Sequence, residues 1–138
     1  MKKTLVALAI ALGSTAAFAD KQAVTVVLNA QSPMTQGMAM VLAGQMAEQK
    51  AAVRVLLCGP AGQLALKAYE PPALKPRNVT PKQMMAGLIK GGATVEVCAL
   101  FLPNADKTPA DLVDGVTVAK PSEVAAYMVK PGVRAFGF

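Results

Sequence analysis

Apolar and polar positions along this chain fall into two alternating regimes. Short, continuous apolar runs recur between longer stretches in which apolar residues return at helical spacing. Ala23-Val24-Thr25-Val26-Val27-Leu28 is the first such run and predicts a buried strand. Ser32-Pro33, a capping residue followed by proline at the first helical position, opens a helix expected over residues 33–50. Met38, Val41, Leu42 and Met46 form its expected buried stripe. Val53-Arg54-Val55-Leu56-Leu57-Cys58 predicts a second strand, stopped by Gly59-Pro60, with a short helix around residues 63–68. Pro71, Pro72 and Pro76 make residues 69–78 a loop.

The same alternation continues to the C-terminus. Thr80-Pro81-Lys82-Gln83 combines a cap, an N1 proline and a capping-box glutamine. Met84, Met85, Leu88 and Ile89 give the buried face of the helix, and Gly91-Gly92 closes it. Residues 94–100 predict a third strand, Thr108-Pro109-Ala110-Asp111 a brief helix ending at Gly115, and residues 116–119 a short strand. Residues 121–128 predict a helix and residues 133–138 a closing strand. Five strands alternating with helices imply an α/β protein, a three-layer α/β/α sandwich with a mainly parallel five-stranded sheet.

The first stretch belongs to neither regime. Met1-Lys2-Lys3 is a basic start, residues 5–12 are an apolar run too short to span a bilayer, and Ala17-Phe18-Ala19 supplies an A-x-A cleavage site. This is the layout of a secretory signal peptide over residues 1–19, leaving a single domain over residues 20–138 and a periplasmic location. The full chain has 138 residues with 14 Lys+Arg against 8 Asp+Glu, a net charge of +6. Cleavage removes Lys2 and Lys3, leaving 119 residues with 12 basic against 8 acidic side chains, a net charge of +4. The remaining basic residues are scattered and without interleaved aromatics, so no nucleic-acid surface is expected. No later segment predicts a membrane span, so no membrane contact is expected after cleavage.

Composition then limits the chemistry. The chain has no histidine, which excludes Ser-His-Asp and Cys-His catalytic units, His-bearing zinc sites and C-x-x-C-H haem attachment. No carboxylate pair has a spacing that points to acid/base work, and Gly59-Pro60-Ala61-Gly62 lacks the Lys and Ser/Thr of a phosphate loop. No cofactor and no metal ligand set is predicted. The two cysteines, Cys58 and Cys98, both fall near the carboxyl ends of predicted strands, where open parallel sheets bind ligands. Three readings stand open for them: buried apolar filling, a reactive thiol, or a Cys58–Cys98 disulfide. The disulfide needs neighbouring strands with matching ends. Strand alternation puts Cys98 on the side of Thr94 and Glu96. Met34, Met38, Met40 and Met46 offer soft sulfur ligands for Cu(I), with Met34 and Met40 as the candidate pair outside the apolar stripe.

Gly91-Gly92-Ala93-Thr94-Val95-Glu96-Val97-Cys98 resembles the segment that ends on the conserved cysteine of the DsrE/DsrF-like (DsrE, TusD, YchN) sulfur-relay family. Leu112-Val113-Asp114-Gly115-Val116 resembles the family's L-x-x-G-V. Residues 122–128 resemble its following helix and Val133-Arg134-Ala135-Phe136-Gly137-Phe138 its closing strand. The likeness runs in order over nearly all of residues 23–138. It departs at Phe101, where YchN-like members carry a second cysteine. The resemblance implies the DsrEFH-like five-stranded α/β/α fold and a homo-oligomer, trimer or hexamer. It also implies a sulfurtransferase-like persulfide carrier with Cys98 as the catalytic residue, exchanging sulfur with a thiol, a persulfide-carrying protein or a small sulfur compound. The alternative is a non-enzymatic module of the same fold that binds a small ligand or Cu(I).

Overall fold

A proline at the first helical position marks where the longer helices start. Ser32, Thr80 and Lys120 each precede a proline. In the computed structural model, which describes residues 22–138, α1 (Pro33–Glu48), α2 (Pro81–Lys90) and α4 (Pro121–Met128) begin at those prolines, with a four-residue α3 (Phe101–Asn104) before α4. At α2 the box is closed both ways: Gln83 N–H donates to Thr80 Oγ1 at 3.1 Å, and Thr80 N–H donates to Gln83 Oε1 at 2.9 Å. Two donors that the helix itself leaves unpaired are thereby satisfied. The signal segment expected over residues 1–19 lies outside the described residues.

The strands are β1 (Ala23–Leu28), β2 (Ala52–Leu57), β3 (Thr94–Val97), β4 (Val116–Val118) and β5 (Val133–Gly137). They form one all-parallel sheet in the order β4-β3-β2-β1-β5. The sequence-expected α/β class and five-stranded sheet are therefore those observed. From β1 to β4 the chain steps one way across the sheet, so right-handed crossovers put α1 and α2 on one face. The return from β4 to β5 runs the other way and carries α4 over the opposite face. There Tyr127 lies under the Arg54 guanidinium at 4.9 Å from the ring centroid.

The core sits between the sheet and the α1/α2 layer. Val24, Val26, Leu28, Val53, Val55, Leu57, Val95 and Val97 point to that face and are buried, against Ala39, Met40 and Ala43 of α1 and Met85 and Leu88 of α2. Each large side chain removed from water there contributes roughly 1.5–3 kcal/mol. The opposite face, covered by one short helix, is less enclosed. β5 is an outer strand whose residues beyond Val133 are all exposed. Among the described residues, no helix is long and apolar enough to cross a membrane.

Three sequence expectations are corrected. The helix 33–50 is present as α1, but its buried positions are Gln36, Gly37, Ala39, Met40 and Ala43, while Met38 is 56% exposed. This helix is apolar almost all round and bears one charge, Glu48, so no polar face fixes its phase. Small side chains face the sheet because they allow close approach; the Leu74 side chain fills the space a Cβ on Gly37 would take. The expected helix at 63–68 is a 3-10 segment over Gly59–Ala65. The second and third strands end at Leu57 and Val97, so neither cysteine lies within a strand, and the apolar residues after Cys98 turn into α3.

Candidate functional site

The register of β2 and β3 brings the two cysteines together. Leu57 is the partner of Val97, so the next residues, Cys58 and Cys98, leave the sheet side by side. Their Cα atoms are 5.1 Å apart, within the range a disulfide requires, and the two sulfurs are bonded. The ladder runs straight through the pair, with Cys58 N–H donating to Leu28 O and Cys98 N–H to Leu57 O, each at 2.8 Å. Of the three readings left open by sequence, the disulfide is the one observed. Among the described residues no free cysteine remains.

The chain parts on either side of this bridge. After Cys58, Gly59 takes φ +48°, a left-handed conformation that lets the backbone turn directly into the 3-10 segment. After Cys98, Phe101 N–H donates to Cys98 O at 2.9 Å and starts α3. Both cysteines are half-buried. They border an open cavity of about 440 Å³, walled by Gly59 on one side and by Leu100, Phe101, Asn104 and Ala105 on the other. Leu100 is 76% exposed at its rim. Phe101 is held at the base because its ring fills the space a Cβ on Gly62 would occupy. The connection after β3 goes to the α1/α2 face and that after β4 to the α4 face, so this cavity lies beside the point where the connections part, at the carboxyl ends of the strands.

Ahead of the cysteines on the same sheet face, four residues before Cys58 and two before Cys98, sits an ion pair. Arg54 and Glu96 meet in a two-pronged contact, with Nε to Oε2 at 2.6 Å and Nη2 to Oε1 at 2.9 Å. Their side chains are 15% and 9% exposed. Donating to the Glu96 carboxylate raises the Arg54 pKa above its ordinary value, against the cost of burial. Glu96 is thus on the expected side of β3, but its carboxylate is committed to Arg54 and Tyr127 backs the guanidinium. Sequence reading missed this trio. The available signal was that Arg54 and Glu96 each stand two or four residues ahead of a cysteine on strands whose alternation is otherwise apolar.

Other candidates do not assemble. Met34 is 75% exposed and Met40 is 2% exposed in the core, so the proposed Cu(I) pair faces two different environments. A larger cavity of about 610 Å³ between α1 and α2 is lined mainly by apolar residues such as Met40, Leu74 and Leu88. Another, of about 370 Å³, lies at the amino ends of β2 and β3, far along the strands from the cysteines.

Comparison with solved structures places this geometry. The crystal structure of the YchN protein from E. coli superimposes with a TM-score of 0.69 at 20% identity, covering 86% of this chain and 99% of that one. The fold is that of YchN. A protein of unknown function from Methanobacterium thermoautotrophicum, MTH1491, superimposes with a TM-score of 0.63 at 14% identity, covering 86% of this chain and 100% of that one. No protein-family model matches the chain. No curated protein matches it in sequence. The likeness to YchN agrees with the fold resemblance read from the ordered motifs. Where YchN-like members are expected to carry a second cysteine, this chain places the Phe101 ring, and its second sulfur is that of Cys58, just beyond the end of the neighbouring strand.

Proposed function

We propose that this protein carries sulfane sulfur on Cys98, with Cys58 as a built-in partner that closes the site as a disulfide and opens it on reduction. The observation that supports this most is the placement of both sulfurs at the strand ends, bordering an open cavity, on the fold of YchN. In the reduced protein the Cys98 thiolate attacks the outer sulfur of a persulfide donor. The donor's S–S bond breaks, its thiolate leaves, and Cys98 holds the new S–S bond; an acceptor thiol reverses the exchange. The chain has no imidazole to take the thiol proton, so ionisation rests on solvent and backbone dipoles. The Cys58–Cys98 bridge supports the oxidising, exported location read from residues 1–19. The exposed apolar side of α1, with Met34, Met38 and Val41, supports the trimer or hexamer that the resemblance implies.

The test is sulfur loading followed by mass spectrometry. Pre-reduced protein is treated with a polysulfide, freed of excess donor and alkylated. Wild type and Cys58→Ser are expected to retain one added sulfur at Cys98, and Cys98→Ser none. Equal loading of wild type and Cys98→Ser would overturn the proposal.

A further inference from the structure

We infer that the oxidised protein accepts inorganic sulfide directly, the hydrosulfide anion opening the Cys58–Cys98 disulfide and remaining on Cys98 as a persulfide. This rests on the reading of Cys98 as the sulfur carrier, and adds to it a substrate and a chemical role for Cys58. Hydrosulfide attacks Cys98 Sγ along the axis of the S–S bond. The S–S bond to Cys58 breaks, its electron pair leaves on Cys58 as a thiolate, and a new S–S bond forms between Cys98 and the incoming sulfur. The incoming sulfide is oxidised to the sulfane level and the Cys58 sulfur is reduced to a thiolate, so the step balances with no external oxidant.

The walls of the cavity favour this nucleophile. The disulfide borders the cavity, so an incoming nucleophile reaches it without unfolding the sheet. No carboxylate lines the cavity, so an anion meets no like charge there, and the chain beyond the signal segment is net positive. No lysine or arginine lines it either. A peptide thiol bearing carboxylates would therefore enter without cationic partners, at the cost of desolvating them. The remaining walls are Leu100, Phe101 and Ala105, with the Asn104 amide turned to Leu100 O at 2.7 Å. A small, polarisable anion tolerates such apolar walls better than a hydrated carboxylate does. Besides the cysteines, four of the five lining residues follow Cys98 in the chain, so the cavity extends mainly along the Cys98 side; attack from that side falls on Cys98, with Cys58 as the leaving group. The ladder hydrogen bonds of Cys58 and Cys98 are made by backbone atoms, so the opened form keeps its strand register.

The experiment uses the air-oxidised mature protein and sodium sulfide freed of polysulfide, under argon. The mixture is quenched with an alkylating agent and mapped by peptide mass spectrometry. The expected product carries one extra sulfur on Cys98 and an alkylated Cys58 in the same molecule. Pre-reduced wild type, which has no disulfide to break, is expected to gain no sulfur from sulfide, as is Cys58→Ser. An intact disulfide after exposure, loss of the disulfide with no sulfur retained, or sulfur found on Cys58 would each overturn the inference. Those outcomes leave the carrier reading intact wherever the reduced protein still loads from polysulfide, and the two proposals therefore fail separately.

Discussion

Opening the Cys58–Cys98 bridge should weaken the fold by a calculable amount without dissolving it. The two residues are 40 apart in sequence. Closing a loop of that length removes about 4 kcal/mol of conformational entropy from the unfolded chain in the loop-entropy model. A domain typically holds about 5–15 kcal/mol in all, so the reduced protein is expected to stay folded with a much lower denaturation midpoint. The assay is guanidinium unfolding followed by far-ultraviolet circular dichroism, run on oxidised wild type, reduced wild type, Cys58→Ser and Cys98→Ser. The three open forms should lose similar stability, about 2–4 kcal/mol, because the same loop is released in each. Their denaturant slopes should be steeper, since an uncrosslinked unfolded chain exposes more surface. Their native spectra should match that of the oxidised form, since the flanking hydrogen bonds are backbone bonds. A loss below about 1 kcal/mol, set against the loop-entropy model, or a molten spectrum on reduction would refute the reasoning.

Two further substitutions probe the surroundings of the cysteines. Arg54→Met leaves the Glu96 carboxylate buried without its partner and should cost about 3–5 kcal/mol, whereas Arg54→Met with Glu96→Leu should recover most of it; equal urea midpoints for single and double variants would refute the pairing. Gly62→Ala puts a methyl group against the Phe101 ring and should cost about 1–3 kcal/mol. It should also change the rate at which reduced Cys98 reacts with a thiol label. Gly37→Ala meets only the movable end of Leu74 and should cost less, and a Gly62→Ala variant unchanged in both stability and labelling rate would contradict the role given to Phe101.

What could be read from sequence was local. The first residues of α1 and α2 follow from a capping residue and a proline, information contained in two adjacent residues, and that of α4 from its proline alone. The bounds of β1 follow from an apolar run with polar Gln22 and Asn29 on either side. The phase of α1 was not legible, because a helix apolar on all sides carries no contrast to read, and Met38 and Met40 exchanged their expected places. The end of β3 was not legible either, since Leu100 and Phe101 continue the apolar run for a different reason: they wall the cavity. The disulfide and the Arg54–Glu96 pair both depend on the β2–β3 register, which joins residues about 40 apart and leaves no mark on either segment alone. Cys98 was singled out through the order of its flanking motifs, and Cys58 gained its role only from its neighbour across the sheet.

The position of the last strand has a consequence for handling the protein. β5 pairs with β1 from Ala23–Val133 through Val27–Gly137, so the first strand is internal only because the last five residues of the sheet cover it. Until they are in place, Ala23–Leu28 is an open edge of six residues without charge, proline or glycine, the composition that seeds cross-β stacking. β5 then becomes the outer strand itself, presenting exposed Arg134 and a weak strand former, Gly137. The C-terminus thus acts as a gatekeeper against aggregation: a chain clipped before Val133 is expected to precipitate whatever the state of its cysteines.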